Sequence, residues 1–173
     1  MSEKLTIIAG LKRIKLLEKK IVRQNAEITS YASKPSTEKA SLMSDAVQQK
    51  HVDSLVQSNL DCIKEMLLLK QRIEKTNLFT ILTIGGHTAS LSEHLHMKRK
   101  FAALQTSVYK SLNTNAADGK MARMQINKDN PVAAERLFDE SKRNDSQREI
   151  YNYLGALDEQ IETINATTDL MDL

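Results

Sequence analysis

The sequence predicts a mainly α protein: a long antiparallel helical hairpin in a multi-helix bundle, with a small two-stranded β insertion. Three observations lead there. Val52, Val56, Asn59, Ile63, Met66, Lys70, Ile73 and Asn77 recur at alternating steps of four and three. That is the heptad rhythm of a helix packed lengthwise on other helices. A second run with the same rhythm precedes it across a short turn. Aromatic residues make up only 4% of the 173, with no Trp, 5 Gly and 2 Pro. A chain so poor in large rings and helix breakers suits long helices better than a sandwich or barrel.

Taken in order, the first helix is expected over Leu5 to Ser30. Ile7, Leu11, Ile14, Glu18, Ile21, Asn25 and Ile28 mark its seam and Leu17 widens the stripe. Gly10 weakens its start by about 1 kcal/mol relative to Ala. Pro35 disfavours helical geometry at Lys34, so residues 32–36 read as a turn, with Ser36 as cap of a second helix from Thr37 to Asn77. Two seamed helices joined by so short a link form an antiparallel hairpin. The run Leu78 to Ile84, rich in β-branched and large apolar residues and followed by Gly85-Gly86, predicts a strand and tight turn.

Ser90-Leu91-Ser92-Glu93 is a capping box that opens a third helix from Leu91 to about Leu112. Its expected face is Leu91, Leu95, Lys98, Phe101, Leu104, Val108 and Leu112. Residues Asn113 to Gly119 read as a loop, and Lys120 to Asn127 as a second short strand paired with Phe79 to Ile84. Asn130-Pro131 is a helix start, and the helix continues towards Asn165 with a break near Asn144-Asp145. Its later face is Ile150, Leu154, Leu157, Ile161 and Ile164. The whole is expected as one domain, 1–173, divided into a hairpin (1–78), a mixed segment (79–127) and an acidic helical segment (128–173).

The net charge of +3 hides a polarity. Residues 1–35 carry eight Lys/Arg against three acids, and residues 128–173 carry five against eleven. Opposite ends therefore attract, within a chain or between subunits. A single cysteine, Cys62, excludes an intrachain disulfide framework and reads as a buried or half-buried thiol beside the seam. No apolar run approaches the roughly 20 residues a bilayer-spanning helix needs, and Lys12, Arg13 and Lys15 interrupt any signal-peptide layout. The expected place of synthesis is the cytoplasm.

No catalytic, cofactor or metal set emerges. His94 and His96, two apart on a helix, point about 200° apart and do not converge on one ion. No cysteine joins the histidines at zinc-like spacing. No serine sits in a nucleophile elbow, and Gly85-Gly86 lacks both the Walker and the dinucleotide spacings. Lys12, Lys15, Lys19 and Arg23 form a basic stripe at helical spacing, suited to phosphate contact. No aromatic is interleaved for stacking, so nucleic acid is the alternative partner and a solvated or ion-paired face is favoured. Asn25, Asn59, Asn77 and Lys70 are polar residues at seam positions: they either set register and oligomeric state or mark where the seam meets solvent.

Several short motifs carry a resemblance. Arg72-Ile73-Glu74-Lys75-Thr76-Asn77, Leu91-Ser92-Glu93-His94-Leu95 and the ending Leu157 to Leu170 resemble the septicolysin-like family of small, mostly helical bacterial proteins. Leu11 to Tyr31 is similar to that family's opening helix. Ala166 stands where the family pattern has Trp, and residues 79–89 are longer than its usual connection. The resemblance implies no catalytic set; relatives among phage genes suggest, by analogy alone, a virion component.

The expected function is therefore structural and non-enzymatic: self-association into a homo-oligomer, and contact with other structural proteins, through the seam Val52, Val56, Asn59, Ile63, Met66, Lys70, Ile73 and Asn77. The alternative is a cytoplasmic adaptor or nucleic-acid-associated module using Lys12, Lys15, Lys19 and Arg23.

Overall fold

A computed structural model describes residues 4–124 and 132–173. The chain is mainly α with one small antiparallel hairpin of strands. It divides into two compact units: residues 1–79 with 162–173, and residues 80–161.

The first unit is built on helices α1 (Ile7–Tyr31) and α2 (Asp45–Phe79). Thr6 caps α1, its Oγ1 accepting from the Ala9 amide at 3.4 Å. The two helices run antiparallel: Arg13 meets Glu65, Gln24 meets Ser58 and Glu27 meets His51. At 35 residues α2 is about 52 Å long. It starts eight residues later than Thr37, and Ser36 is not its cap. Ser44 is, through its Oγ and the Val47 amide. Before it, the Gln48 side chain accepts from the amides of Ser41 and Leu42 and donates to the Tyr31 carbonyl. These side-chain bonds offer the backbone of 41–44 an alternative to helix.

The seam between α1 and α2 keeps one expected row of each heptad and replaces the other. In α1 the row Ile7, Ile14, Ile21 and Ile28 faces inward as predicted, but its companion is Gly10, Leu17, Gln24 and Tyr31. Leu11, Glu18 and Asn25 are exposed. In α2 the row Val52, Asn59, Met66 and Ile73 is retained, and its companion is Gln48, Leu55, Cys62, Leu69 and Thr76. The reason is pairing and size. Gln24 Nε2 donates to Ser58 Oγ at 3.2 Å and Asn59 Nδ2 donates to Asn25 Oδ1 at 2.9 Å, while the buried Asn59 Oδ1 has no partner among the described residues. Gly10 permits close approach, since a Cβ there would lie 2.9 Å from Leu170 Cδ1 and 3.4 Å from Ile73 Cδ1.

The chain end completes this unit. Ile7 N donates to Thr168 O, and Leu170 N donates to Leu5 O, so residues 168–170 pair with the entry to α1. Buried Leu170 packs on Gly10. Arg72 holds the carbonyls of Leu170 and Met171 and the Asp172 carboxylate, and Lys75 holds the Asp172 carbonyl. The acidic end thus meets basic side chains of α2, not the stripe on α1.

The second unit begins with strands β1 (Ile81–Ile84) and β2 (His87–Ser90). They pair antiparallel across Gly85-Gly86, whose φ values of 57° and 80° suit a two-residue turn that only glycine adopts cheaply. The partner of β1 is therefore its immediate neighbour, and residues 120–124 form no strand. Lys120 and Met121 end a helix, α5 (Asn115–Met121), which replaces the loop expected over 113–119. Residues 125–127 and the expected start at Asn130-Pro131 lie outside the described residues.

Ser90 Oγ accepts from the Glu93 amide and opens helix α3 (Leu91–His96). A π turn over Met97–Phe101 comes next, then α4 (Ala102–Lys110). The wider turn inserts an extra residue and rotates the later part of the helix by about 100°. So Leu91 and Ala102 are buried, while Phe101, Leu104 and Val108 of the expected face point outward. Helix α6 (Glu140–Thr167) runs without a break at Asn144-Asp145. Its residues to Ile161 belong to this unit, where Leu157 is fully buried and Ile150, Leu154 and Ile161 flank it half-buried. Among the described residues no helix is long and apolar enough to cross a membrane.

Candidate interaction surface

The eight seam residues predicted on α2 fall on two faces. Asn59 and Ile73 are buried, and Val52, Met66 and Asn77 half-buried. Asn59 is paired to Asn25 and Ile73 packs by Gly10, so these two serve the chain's own hairpin. Val56, Ile63 and Lys70 are exposed. They join Leu60 and Leu67, which the predicted seam omits. Val56, Leu60, Ile63 and Leu67, at steps of four, three and four, are 42%, 48%, 51% and 57% exposed. At 3.6 residues per turn this row lies about 110° around the axis from the row that contacts α1. Helix α2 therefore has two apolar faces, and α1 covers one. The signal was present as a second four-three rhythm, masked because the first and second share Val56, Ile63 and Lys70.

The ends of the exposed row are charged. Continuing the same rhythm reaches Gln49 and Asp53 on one side, Lys70 and Glu74 on the other. Asp53 and Lys70 are exposed and in no ion pair among the described residues.

The basic stripe is intact. Lys12, Lys15, Lys19 and Arg23 are all exposed, on the side of α1 facing away from α2, and none is in an ion pair among the described residues. Arg13, by contrast, forks onto Glu65 with 2.7 Å and 3.2 Å bonds, which raise its pKa above the ordinary guanidinium value.

In the second unit the histidines are more organised than their spacing suggests. His94 is 0% exposed. Its Nε2 lies 3.3 Å from the Leu82 carbonyl, an acceptor only, so Nε2 carries the proton and Nδ1 accepts from Tyr153 Oη at 2.7 Å. His87 packs edge-on against both rings, and its Nε2 is 3.7 Å from Glu93. A cleft of about 450 Å³ opens beside them, lined by His87, Tyr109, Glu149 and Tyr153 among others. His96 points away, exposed. Among the described residues no group of three or more His, Cys, Asp or Glu side chains is placed to hold a metal ion. The His94–Tyr153 pair has the geometry of a structural tie between α3, β1 and α6.

Burial, and secondarily the charge of Glu93, raise the Tyr153 pKa above 10.0. The folded state thus keeps a proton that the unfolded chain releases. Stability from this group is complete below pH 10 and is lost as pH rises through the raised folded value. Denaturant titrations between pH 8 and 11 are expected to show an alkaline loss that is smaller in Tyr153→Phe; an identical decline in both proteins would refute the assignment.

Comparison with family models, with curated proteins and with solved structures gives no match. The resemblance of short motifs to the septicolysin-like family therefore stands on those motifs alone.

Proposed function

We propose that this is a non-enzymatic structural protein that self-associates through its helical hairpin. The observation that carries this reading is the exposed row Val56, Leu60, Ile63 and Leu67 on a helix whose other apolar face is already covered. Scattered exposed apolar residues are ordinary, but a continuous row at coiled-coil spacing is not. Full burial of such a side chain contributes about 1.5–3 kcal/mol, and these four are about half-exposed already. Eight of them, four from each of two copies, contribute about 6–12 kcal/mol, comparable to the 4–15 kcal/mol cost of association. At the favourable ends of both ranges about 8 kcal/mol remains, which corresponds to a dimer of roughly micromolar affinity.

Light scattering coupled to size exclusion tests it. A dimer or larger species at tens of micromolar, reduced to monomer by Ile63→Lys with the helical circular dichroism retained, is the expected result. A wild-type monomer at that concentration would sink the proposal.

A second reading rests on the unpaired stripe Lys12, Lys15, Lys19 and Arg23. Four phosphate contacts would give a log–log salt slope of about −3 to −4. Binding of a mixed-sequence polynucleotide with that slope, abolished by Lys15→Glu/Lys19→Glu, would favour it; salt-independent or absent binding would remove it.

A further inference from the structure

We propose that the occupant of the exposed face of α2 is the same face of a second copy, running antiparallel about a twofold axis that passes between Leu60 and Ile63. This rests on the self-association reading above and adds its geometry. The argument is charge complementarity along the row. An antiparallel pairing centred there sets Leu60 against Ile63, Val56 against Leu67, and Asp53 against Lys70 of the second copy. The twofold repeats every pairing, so both ends of the contact close with opposite charges. The next layer sets Gln49 against Glu74, with no like-charge clash.

A parallel arrangement does the opposite. It stacks Asp53 on Asp53, Lys70 on Lys70 and Glu74 on Glu74, three like-charge layers in one seam. Like charges set opposite each other in a coiled-coil seam select against that orientation. Shifting the antiparallel register by one heptad either way leaves apolar residues facing charged ones. Asp53 and Lys70 also have no ion pair within their own chain among the described residues, so both are available to a partner. The layers alternate one residue of each row type, as antiparallel helix pairs require.

Two measurements on the full chain test the geometry. In sedimentation equilibrium, Asp53→Lys and Lys70→Glu are each expected to weaken the dimer about tenfold, because each replaces two attractive pairs by two repulsive ones. The double variant D53K/K70E is expected to return to near wild-type affinity. In a parallel dimer neither single change would alter the sign of any contact, and no rescue would appear. Independently, oxidising an equimolar mixture of D53C and K70C chains is expected to give cross-linked D53C–K70C heterodimers. Homodimers of each, or no cross-link from a protein that still dimerises, would overturn this geometry and leave self-association standing. A wild-type monomer would overturn both.

Discussion

Leu69→Ala is expected to cost about 2–5 kcal/mol of stability, while Leu68→Ala, one residue earlier, stays within about 0.5 kcal/mol. The two side chains are chemically identical. Leu69 is buried in the α1 contact and Leu68 is more than half exposed on the other side of α2. Removing Leu69 loses both the transfer free energy of its methyls and the packing of the cavity left behind. Removing Leu68 trims surface. Urea unfolding followed by circular dichroism reads both, with the midpoint shifted for the first variant and the slope unchanged. Equal effects for the two variants would show that α2 is rotated from the orientation described.

His94→Ala in the second unit is expected to cost about 3 kcal/mol, from a fully buried ring and a lost hydrogen bond. The loss leaves Tyr153 Oη without its acceptor, so Tyr153→Phe added to His94→Ala should cost little more. The double variant is then expected to be less destabilised than the two single variants added together. Strict additivity, read from the same urea curves, would show that the 2.7 Å contact is not an energetic pair.

Much of the fold was legible because it is encoded locally. The helical hairpin, the Gly85-Gly86 turn and the Ser90 cap depend on side chains within a few residues, whose spacing and φ preferences act wherever the chain goes. The later face of α6 was legible too, since Ile150, Leu154, Leu157 and Ile161 leave no competing stripe. The start of α2 was not. Gln48 reaches back seven residues to Ser41 and seventeen to Tyr31, and no helix propensity records such a bond. Nor was the π turn at Met97–Phe101, which reorients Leu104 and Val108 without a marker in composition. Burial of His94 was missed because its partners, Tyr153 and Leu82, are remote in sequence or contributed by the backbone.

The candidate surface divides the same way. Heptad spacing alone determined that α1 and α2 are long seamed helices lying side by side. It did not determine which two rows of each helix meet. Neighbouring rows of a helix share residues, and hydropathy ranks Leu11, Val56 and Ile63 above Gly10, Gln48 and Thr76. Tertiary structure decided for the rows that bury Leu17, Leu55, Cys62 and Leu69, where Gln24 and Gln48 also find hydrogen-bond partners and Gly10 admits Leu170 and Ile73. Placing those rows inside left Val56, Leu60, Ile63 and Leu67 outside. Periodicity reports that a helix has an apolar face; only the pairing of specific atoms across a contact reports which face is used and which is left for a partner.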